Sequence, residues 1–384
     1  ISYQEILENY EAIEIGFERV GFDHPLYIMF SSGTTGVPKC IVHGHGGTLV
    51  QHLKEHQLQT NISSGDRVFY FTTCSWMMWN WLVSALGTGA TVMLYDGSPA
   101  YPDNTVLWQF ADEEQFSHFG TSAKYIEKLM KDDVNPSAIF KLSNLKVICS
   151  TGSPLSAECY DYIYNNVGYV HLASISGGTD IVSCFVLGVP TIPVRRGEIQ
   201  GAGLGMAVEI WDDSGRVNRG ERGELVCTKP FPSRPVKFWN DIDGKKYHAA
   251  YFDRFEGVWA HGDFAEQTPD GGYIIYGRSD ATLNPGGVRI GTAEIYRQVD
   301  RVKEVLESIV IGQVWGNDTR IVLFVKLREG TNLTETLLDT IKKLIKENCT
   351  SRHVPSKILQ VEDIPRTKSG KIVEIPVRDI VHLS

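Results

Sequence analysis

A short run rich in glycine and hydroxyl side chains places the strongest limit on what this chain can form. The run reads SSGTTGVPK from Ser31 to Lys39, and it follows the apolar segment Leu26 to Ser31, which predicts a strand. Glycines allow successive backbone N–H groups to point into one concavity, hydroxyls add further donors, and Lys39 adds a cation at the edge. These groups suit phosphate oxygens, so the run predicts a phosphate-binding loop at the end of a strand.

The composition of this loop excludes the Walker A type of phosphate loop. That type requires GxxxxGK followed by Ser or Thr, whereas here Pro38 lies between Gly36 and Lys39, and Cys40 follows the lysine. An ordinary turn rich in serine and glycine is the alternative, and the length of the run argues against it. The residues that we predict to bind phosphate are Ser31, Ser32, Gly33, Thr34, Thr35, Gly36 and Lys39.

Short apolar runs alternate with helical patterns throughout the first half of the chain. Further strands are predicted at Arg67 to Thr72, Ala90 to Tyr95 and Leu145 to Ser150, with helices at Gly47 to Gln59 and Ser122 to Lys131. Strands that alternate with helices imply a parallel sheet covered on both faces. The first half is therefore predicted to be an α/β unit.

The pattern changes near Cys184 and again near Arg278. After Cys184, short apolar segments follow one another between turns, which predicts a small unit made of strands. After Arg278 come a glycine-rich turn, a short helix, two strands and a longer helix, which predicts a separate α+β module. Because 384 residues are too many for one ordinary core, we predict domains at residues 1–184, 185–278 and 279–384.

The overall composition limits the partners and the location of the chain. A net charge of −9 at pH 7 argues against non-specific binding of nucleic acid, which requires a basic face. The chain has seven widely spaced cysteines and no CxxC pair, which favours a reducing compartment and a cytoplasmic protein. The uncharged stretch Cys74 to Tyr95 is interrupted by Gly87 and Gly89, so we predict a buried helix and strand there and no membrane span.

The loop and several later segments resemble, in the same order, the motifs of the adenylate-forming superfamily. This superfamily includes acyl-CoA synthetases, luciferases and peptide-synthetase adenylation domains. The resemblance extends from Ser31 to Lys371, nearly the whole chain, and it depends on the joint occurrence of the motifs. It implies an α/β fold with a parallel nucleotide-binding subdomain, a small β-barrel-like subdomain, and a C-terminal α+β lid domain after a hinge.

The resemblance assigns roles to the residues expected to bind the nucleotide and the metal. Thr179 matches the residue that contacts the α-phosphate, Asp180 the acidic ligand of Mg²⁺, and Asp263 the carboxylate that binds the ribose hydroxyls. Most of the family has Glu in place of Asp180, and a side chain one methylene shorter suits metal binding through water. The segment similar to the one that packs against adenine consists of Thr151, Gly152, Ser153 and Pro154.

The resemblance also assigns roles at the predicted hinge and beyond it. Arg278 matches a residue near the nucleotide, and Asp280 matches the pivot of the hinge. Arg289 matches an arginine that contacts phosphate during adenylation. Lys371, at the end of the run RTKSGK, matches the catalytic lysine of adenylation.

A glycine turn in the C-terminal module is expected to serve coenzyme A. In the family this module rotates between two half-reactions, after which a turn matching Gly286 and Gly287 lines the channel for the thiol. A Cβ atom there would narrow a channel meant for pantetheine. The rotation would also move Lys371 away from the acyl adenylate.

The resemblance implies ligation of a carboxylic acid to coenzyme A through an acyl-AMP intermediate, with release of AMP and pyrophosphate. The expected ligands are small molecules: ATP, Mg²⁺, coenzyme A and the acid. The segments Ser174 to Phe185, Trp76 to Pro99 and Lys237 to Asp241 are most similar to family members that activate acetoacetate. Members that activate acetate close the acyl pocket with a tryptophan where Gly177 and Gly178 stand here, so we expect Gly177 to set the length of the acid.

Several alternatives stay open at this point. The pairs His43 with His45 and His52 with His56 invite a metal site, but the sequence places no third ligand. Similar family members have a long segment before the phosphate loop, so we expect the first domain to be incomplete on its N-terminal side. The alternative functions are a synthetase for another short or medium-chain acid, a chain that only binds nucleotide or a partner, and an adenylation domain that loads a carrier protein.

Overall fold

The computed structural model describes residues 2–11, 13–31, 39–218, 220–316, 318–367 and 371–383. Helix α1 (Tyr3–Asn9) is followed by the antiparallel pair β1 (Pro25–Ser31) and β2 (Lys39–Gly44). Ser31 and Lys39 are directly opposite each other in this pair, so the two ends of the predicted phosphate loop are adjacent. The loop residues Ser32, Gly33, Thr34, Thr35 and Gly36 lie outside the described residues.

A parallel sheet forms the centre of the first half of the chain. Its strands are β3 (Arg67–Tyr70), β4 (Thr91–Met93), β5 (His118–Ser122), β6 (Val147–Thr151) and β7 (His171–Ser174). They lie in the spatial order β4-β3-β5-β6-β7, and each neighbouring pair is parallel. The helices around them are α2 (His45–Lys54), which continues as a π-helix (Glu55–Gln59), α3 (Met77–Ser84), α4 (Val106–Glu113), α5 (Ala123–Lys131), α6 (Pro136–Ile139) and α7 (Ala157–Asn166).

Both faces of this sheet are buried. Side chains alternate along a strand, so neighbouring residues of β3 enter different cores. Phe69 packs with Trp108 of α4 and Ile163 of α7, whereas Tyr70 packs with Trp81 of α3. The prediction of a parallel sheet with helices on both faces is therefore confirmed, and it explains why these strands are apolar on both sides.

The uncharged stretch that begins at Cys74 forms the predicted helix and strand, but the strand, β4, lies at the edge of the sheet and is only partly buried. Helix α3 ends in a 3₁₀ turn (Ala85–Thr88), Gly89 has a positive φ of 81°, and β4 follows. Among the helices of the described ranges, none is long and apolar enough to cross a membrane.

A group of antiparallel strands follows the parallel sheet. The elements are β8 (Ser176–Gly178), β9 (Ser183–Leu187), β10 (Gly201–Ala202), β11 (Val208–Trp211), β12 (Arg222–Cys227), β13 (Lys237–Phe238), α8 (Lys245–Tyr251), β14 (Trp259–Gln267) and β15 (Tyr273–Arg278). Two sheets have the orders β10-β9-β8 and β11-β12-β14-β15, while β13 pairs with β2. One core joins these sheets, because Ile41 of β2, Phe185 of β9 and Trp259 of β14 all belong to it.

The C-terminal module begins after a 3₁₀ turn (Ser279–Ala281) at the end of β15. It consists of α9 (Thr292–Val299), β16 (Val305–Trp315), β17 (Asp318–Leu327), α10 (Glu335–Asn348), β18 (Lys357–Gln360) and α11 (Glu374–Leu383). β16 and β17 form an antiparallel hairpin, and β18 pairs with β17 in parallel. Ile341 and Ile345 of α10 pack on this sheet with Ile295 of α9. The two predicted domain boundaries stay predictions, and β9 runs across the first of them at residue 184.

Candidate active site

Side chains from distant parts of the chain contact the carboxylate of Asp180. Lys39, the first residue of β2, places its Nζ 2.5 Å from Asp180 Oδ1. Tyr251, the last residue of α8, donates its hydroxyl to the same oxygen at 2.6 Å. Asp180 itself lies in the turn between β8 and β9. The packing of these elements thus brings the edge of the phosphate loop to the predicted metal ligand.

The electrostatics of this group keep Asp180 ionised. Burial alone would raise the pKa of Asp180, but Lys39 and His261 oppose that effect and hold its pKa well below the usual range. No group of three or more His, Cys, Asp or Glu side chains suited to a metal occurs within the described ranges. A cation here would therefore rely on Asp180 and on oxygens of the substrate, which is how Mg²⁺ commonly binds beside phosphates. The donor set fits Mg²⁺ in that sense.

The backbone of Thr179 is held by a buried histidine. His43 Nε2 donates a hydrogen bond to the carbonyl oxygen of Thr179 at 2.9 Å. Burial lowers the pKa of His43 to about 4, so the ring is neutral near pH 7 and carries its proton on Nε2 for this bond. Because His43 lies on β2 with Lys39, the bond ties the predicted α-phosphate residue to the strand that ends the phosphate loop. The sequence had suggested His43 only as a possible metal ligand, so this role was missed.

Asp263 and Arg278 form an ion pair across neighbouring strands. The two residues are opposite each other in the β14–β15 pairing, and Arg278 Nη1 donates to Asp263 Oδ1 at 3.1 Å. Arg278 Nη1 also donates to the carbonyl oxygen of His261 at 3.0 Å. The ring of His261 packs on Phe185, with centroids 4.6 Å apart, and its Nε2 lies 3.7 Å from Asp263 Oδ2. The structure thus brings the predicted ribose ligand and the predicted nucleotide-side arginine together.

The charge of Lys371, in the C-terminal module, interacts with this group. Desolvation lowers the pKa of its ammonium, while Asp263 and Asp180 favour the charged form. Arg278 also lowers the pKa of Lys371 by like-charge repulsion. The charge of the predicted catalytic lysine therefore interacts with the carboxylates of the predicted metal ligand and of the predicted ribose ligand. Lys368, Ser369 and Gly370, which precede it, lie outside the described residues.

The segment predicted to contact adenine borders the space between the first half of the chain and the C-terminal module. Thr151 ends β6, and its hydroxyl donates to the carbonyl oxygen of Ile175 at 2.9 Å. A Cβ on Gly152 would lie 3.7 Å from the ring of Trp76, so that ring covers this turn. Ser153 and Pro154 line a small gap between α5 and α9. Contact with adenine stays a prediction.

Arg289 contacts residues other than those around Asp180. Its Nη1 lies 3.3 Å from Asp213 Oδ1, its Nη2 donates to the carbonyl oxygen of Ser279 at 3.2 Å, and its guanidinium stacks on the ring of Phe264. Asp280 continues the chain of contacts at the junction: its Oδ1 lies 3.7 Å from Arg278 Nε. The predicted contact of Arg289 with phosphate and the predicted pivot role of Asp280 stay predictions.

Gly286 and Gly287 have a backbone reason to be glycine. Their φ angles are 58° and 75°, in the left-handed region that disfavours side chains, and open space surrounds both Cβ positions. Asp318, at the start of β17, accepts a hydrogen bond from the N–H of Gly286 at 2.8 Å. This turn therefore belongs to the surface of the C-terminal module, and its predicted role in a thiol channel stays a prediction.

The expected space at Gly177 is filled by the neighbouring strand. A Cβ on Gly177 would lie 2.1 Å from the carbonyl oxygen of Ser183 and 2.5 Å from Cα of Cys184. Gly177 therefore allows the close approach of β8 and β9. Its predicted role in setting the length of the acid stays a prediction. A Cβ on Gly178 would instead meet His261 at 3.4 Å, an ordinary contact, so Gly178 is the better candidate for a pocket position.

His52 and His56, two further histidines from the sequence analysis, have structural contacts. His52 Nε2 donates to the carbonyl oxygen of Val182 at 2.5 Å, and His56 Nε2 donates to that of Trp81 at 2.8 Å. Both rings are fully buried near Glu55, whose carboxylate accepts from Trp81 Nε1 at 2.9 Å. The bond of His52 ties α2 to the turn that follows Asp180, and the bond of His56 ties the π-helix to α3. These contacts give both histidines a structural role.

Comparisons with known proteins identify the family of the chain. Residues 9–234 match the family of AMP-binding enzymes, and residues 294–371 match the AMP-binding enzyme C-terminal domain. The chain therefore belongs to the AMP-binding enzyme family, as its motifs predicted. This also confirms the predicted fold class.

Within that family, the chain is similar to acetoacetyl-CoA synthetases. It is 61% identical over 383 residues to the acetoacetyl-coenzyme A synthetase of Rhizobium meliloti (strain 1021), and 50% identical over 374 residues to the enzyme of Gallus gallus. These alignments cover 100% and 97% of this chain but 59% and 56% of the relatives, so the chain spans less than two-thirds of their length. The solved structure of acetoacetyl-CoA synthetase from Streptomyces lividans matches 99% of this chain and 58% of its own, with 45% identity and a TM-score of 0.92.

Proposed function

We propose that this chain carries the adenylation chemistry of an acid–CoA ligase, with acetoacetate as the acid. The observation that carries the proposal is the Lys39–Asp180 ion pair together with the Asp263–Arg278 pair, and the charge of Lys371 interacts with both carboxylates. A cation at a phosphate loop, an ionised carboxylate and a second cation from another module suit a reaction that builds negative charge on phosphate. The similarity to acetoacetyl-CoA synthetases supports the choice of acid.

In the first half-reaction, a carboxylate oxygen of the acid forms a bond to the α-phosphorus of ATP. The bond from that phosphorus to the bridging oxygen of pyrophosphate breaks, which leaves acyl-AMP. Lys39 and Lys371 are the cations that would offset the charge developing on the phosphate oxygens. Thr179, fixed through its carbonyl by His43, is the residue that would position the α-phosphate.

Mg²⁺ would be held by Asp180 together with phosphate oxygens, and it would supply positive charge to the α- and β-phosphates. In this structure Lys39 forms an ion pair with Asp180, and it would leave that carboxylate to bind phosphate when the nucleotide binds. Asp263 would hold the ribose, since its carboxylate is already oriented by Arg278. Ser31 Oγ is buried and has no hydrogen-bond partner among the described residues, which suits a further contact with phosphate.

In the second half-reaction, the sulfur of coenzyme A forms a bond to the acyl carbon. The bond between that carbon and the phosphate oxygen breaks, AMP leaves, and the thiol proton passes to solvent. The present arrangement, with Lys371 near Asp263 and Asp180, suits the first half-reaction. Rotation of the C-terminal module would then bring the turn at Gly286 and Gly287 to the thiol.

The test is ATP–pyrophosphate exchange with acetate, acetoacetate, 3-hydroxybutyrate and hexanoate, followed by product analysis with free coenzyme A. We expect exchange that depends on the acid and is fastest with acetoacetate, and formation of acetoacetyl-CoA. Nucleotide binding without exchange would indicate a chain that only binds nucleotide. Exchange without thioester would favour loading of a carrier protein, and faster exchange with another acid would change the substrate.

A further inference from the structure

The hydroxyl of Tyr251 contacts the predicted metal ligand but has no role in the chemistry described above. It donates to Asp180 Oδ1 at 2.6 Å, and Lys39 Nζ lies 2.5 Å from the same oxygen. Both hydrogen bonds described for this carboxylate therefore fall on Oδ1. Oδ2 lies on the side of Gly178, 3.8 Å from the position that a Cβ would take there.

The ring of Tyr251 is fixed by its neighbours. It is 3% exposed and stacks on Trp259, with centroids 3.7 Å apart and an angle of 13° between the rings. Phe238 and Tyr247 pack against its edges, with centroids 5.6 Å and 5.3 Å away. A ring held on three sides cannot swing its hydroxyl to another acceptor without disturbing this aromatic cluster.

The hydroxyl is also restricted to acting as a donor. A phenol carries one O–H group, which donates here to a carboxylate oxygen, and a carboxylate oxygen accepts. The hydrogen bond between them therefore has one possible direction and an ionised acceptor, which makes it one of the stronger kinds.

Lys39 and Tyr251 differ in what happens when a nucleotide arrives. Lys39 ends the phosphate loop on a flexible side chain and would turn to phosphate, whereas Tyr251 would remain on Asp180. The terminal torsion of an aspartate is broad, so a carboxylate without a fixed donor samples many orientations. Asp180 is also one methylene shorter than the glutamate common in the family, which leaves it less reach to correct a poor orientation.

We propose that Tyr251 is a positioning residue for the metal site. Its hydroxyl holds Oδ1 of Asp180 and leaves Oδ2 as the oxygen for a divalent cation bound with the phosphates of ATP. The inference rests on the proposed adenylation function. It adds to that function a residue from α8, a helix that contains none of the motifs.

The test uses Tyr251→Phe, which removes the hydroxyl and keeps the ring stacked on Trp259 and beneath Lys39. The matched control is Tyr247→Phe on the same helix, because the Tyr247 hydroxyl donates to the carbonyl oxygen of Pro235, away from Asp180. Binding of Mn²⁺ to the full chain with α,β-methylene-ATP is measured from the electron paramagnetic resonance signal of free Mn²⁺. This analogue has a methylene bridge between its α- and β-phosphates and cannot transfer AMP to the acid, so the readout does not depend on turnover.

We expect Tyr251→Phe to weaken Mn²⁺ binding about 10–100-fold, the usual effect of removing a hydrogen bond to a metal ligand. Affinity for the analogue without divalent cation should stay at the wild-type value, and Tyr247→Phe should match wild type in both measurements. Wild-type Mn²⁺ binding by a Tyr251→Phe chain with an unchanged melting temperature would overturn the inference alone. So would a loss of analogue binding without metal, since the hydroxyl would then hold the nucleotide. Absence of Mn²⁺ binding by the wild-type chain would instead overturn the proposed function.

Discussion

Lys124 of α5 and Asp300, which follows α9, form an ion pair that joins the first half of the chain to the C-terminal module. Lys124 Nζ lies 3.0 Å from Asp300 Oδ2 and 2.6 Å from Glu127 Oε2. Lys131 extends the group, because its Nζ lies 2.7 Å from Glu127 Oε1 and donates to the carbonyl oxygen of Val305 at 3.2 Å. Charges from both modules are thus shared in one cluster, which helps to hold the arrangement that places Lys371 near Asp180.

Replacing Asp300 by asparagine should loosen this arrangement. Loss of one charge from a largely buried cluster lowers the free energy of unfolding by about 1–3 kcal/mol after allowance for the partial exposure of Lys124. We expect ATP–pyrophosphate exchange to fall about tenfold or more, while thioester formation from supplied acyl-AMP changes little. Hydrogen–deuterium exchange of α5 and α9 should become faster. Asp339→Asn, an exposed substitution on α10, is the control, and equal effects of the two variants would contradict this role for Asp300.

Replacing Lys371 by alanine should separate the two half-reactions. The charge that Lys371 would place beside the α-phosphate is needed when acyl-AMP forms, so exchange should fall by about 10²–10³-fold. Formation of the thioester from supplied acyl-AMP and coenzyme A should persist, because that step needs no cation from this lysine. Lys346→Ala on the exposed face of α10 should affect neither step. Equal loss of both half-reactions in Lys371→Ala would show that the division of roles is wrong.

The two glycines before Thr179 should respond differently to the same small change. Gly177→Ala forces a Cβ into the backbone of β9, so we expect a loss of about 1–3 kcal/mol or more in stability. Gly178→Ala meets only the edge of His261 and should fold normally, while its methyl group narrows the space beside Asp180. In Gly178→Ala, the ratio of the ATP–pyrophosphate exchange rate with acetate to the rate with acetoacetate should therefore rise. A folded Gly177→Ala chain of wild-type stability, or an unchanged acid preference in Gly178→Ala, would contradict these assignments.

Local patterns were enough to predict most elements of the fold. The longer helix predicted for the C-terminal module is found as α10, which begins at Glu335 because Thr334 accepts a hydrogen bond from the N–H of Leu337. Its apolar residues repeat at helical spacing, so the prediction needed no knowledge of distant contacts. The same holds for β3, β4 and β6 of the parallel sheet. β5 and β7 were not predicted, because His118–Ser122 and His171–Ser174 are short and contain polar residues.

Contacts between distant residues could not be predicted in this way. Tyr251 and Asp180 are separated by 71 positions, and His43 and Thr179 by 136, so only the packing of whole elements brings them together. Tyr251 lies in a segment without any motif, and nothing in its sequence neighbours indicates an acceptor. Gly177 is a second example, because the motif alone suggested open space there. The pairing of β8 with β9 places backbone atoms of Ser183 and Cys184 in that space.

Acidification should destabilise the chain through its buried histidines, and His56 allows a direct test. Burial lowers the pKa of His56 from 6.5 to about 3, and the nearby His52 and His118 act in the same direction. Its Nδ1 is buried without an acceptor among the described residues, so a second proton there would be unsatisfied. Between pH 6.5 and that lower value the unfolded chain binds a proton that the folded chain does not, so stability falls as pH decreases, by up to about 1.4 kcal/mol per pH unit for each such histidine.

We expect His56→Gln, which keeps a donor for the Trp81 carbonyl, to reduce the slope of unfolding free energy against pH between 5 and 6. Urea unfolding followed by tryptophan fluorescence measures this slope. His248→Gln, a substitution of an exposed histidine, is the control. An unchanged slope in His56→Gln would show that His56 is not a source of the acid sensitivity.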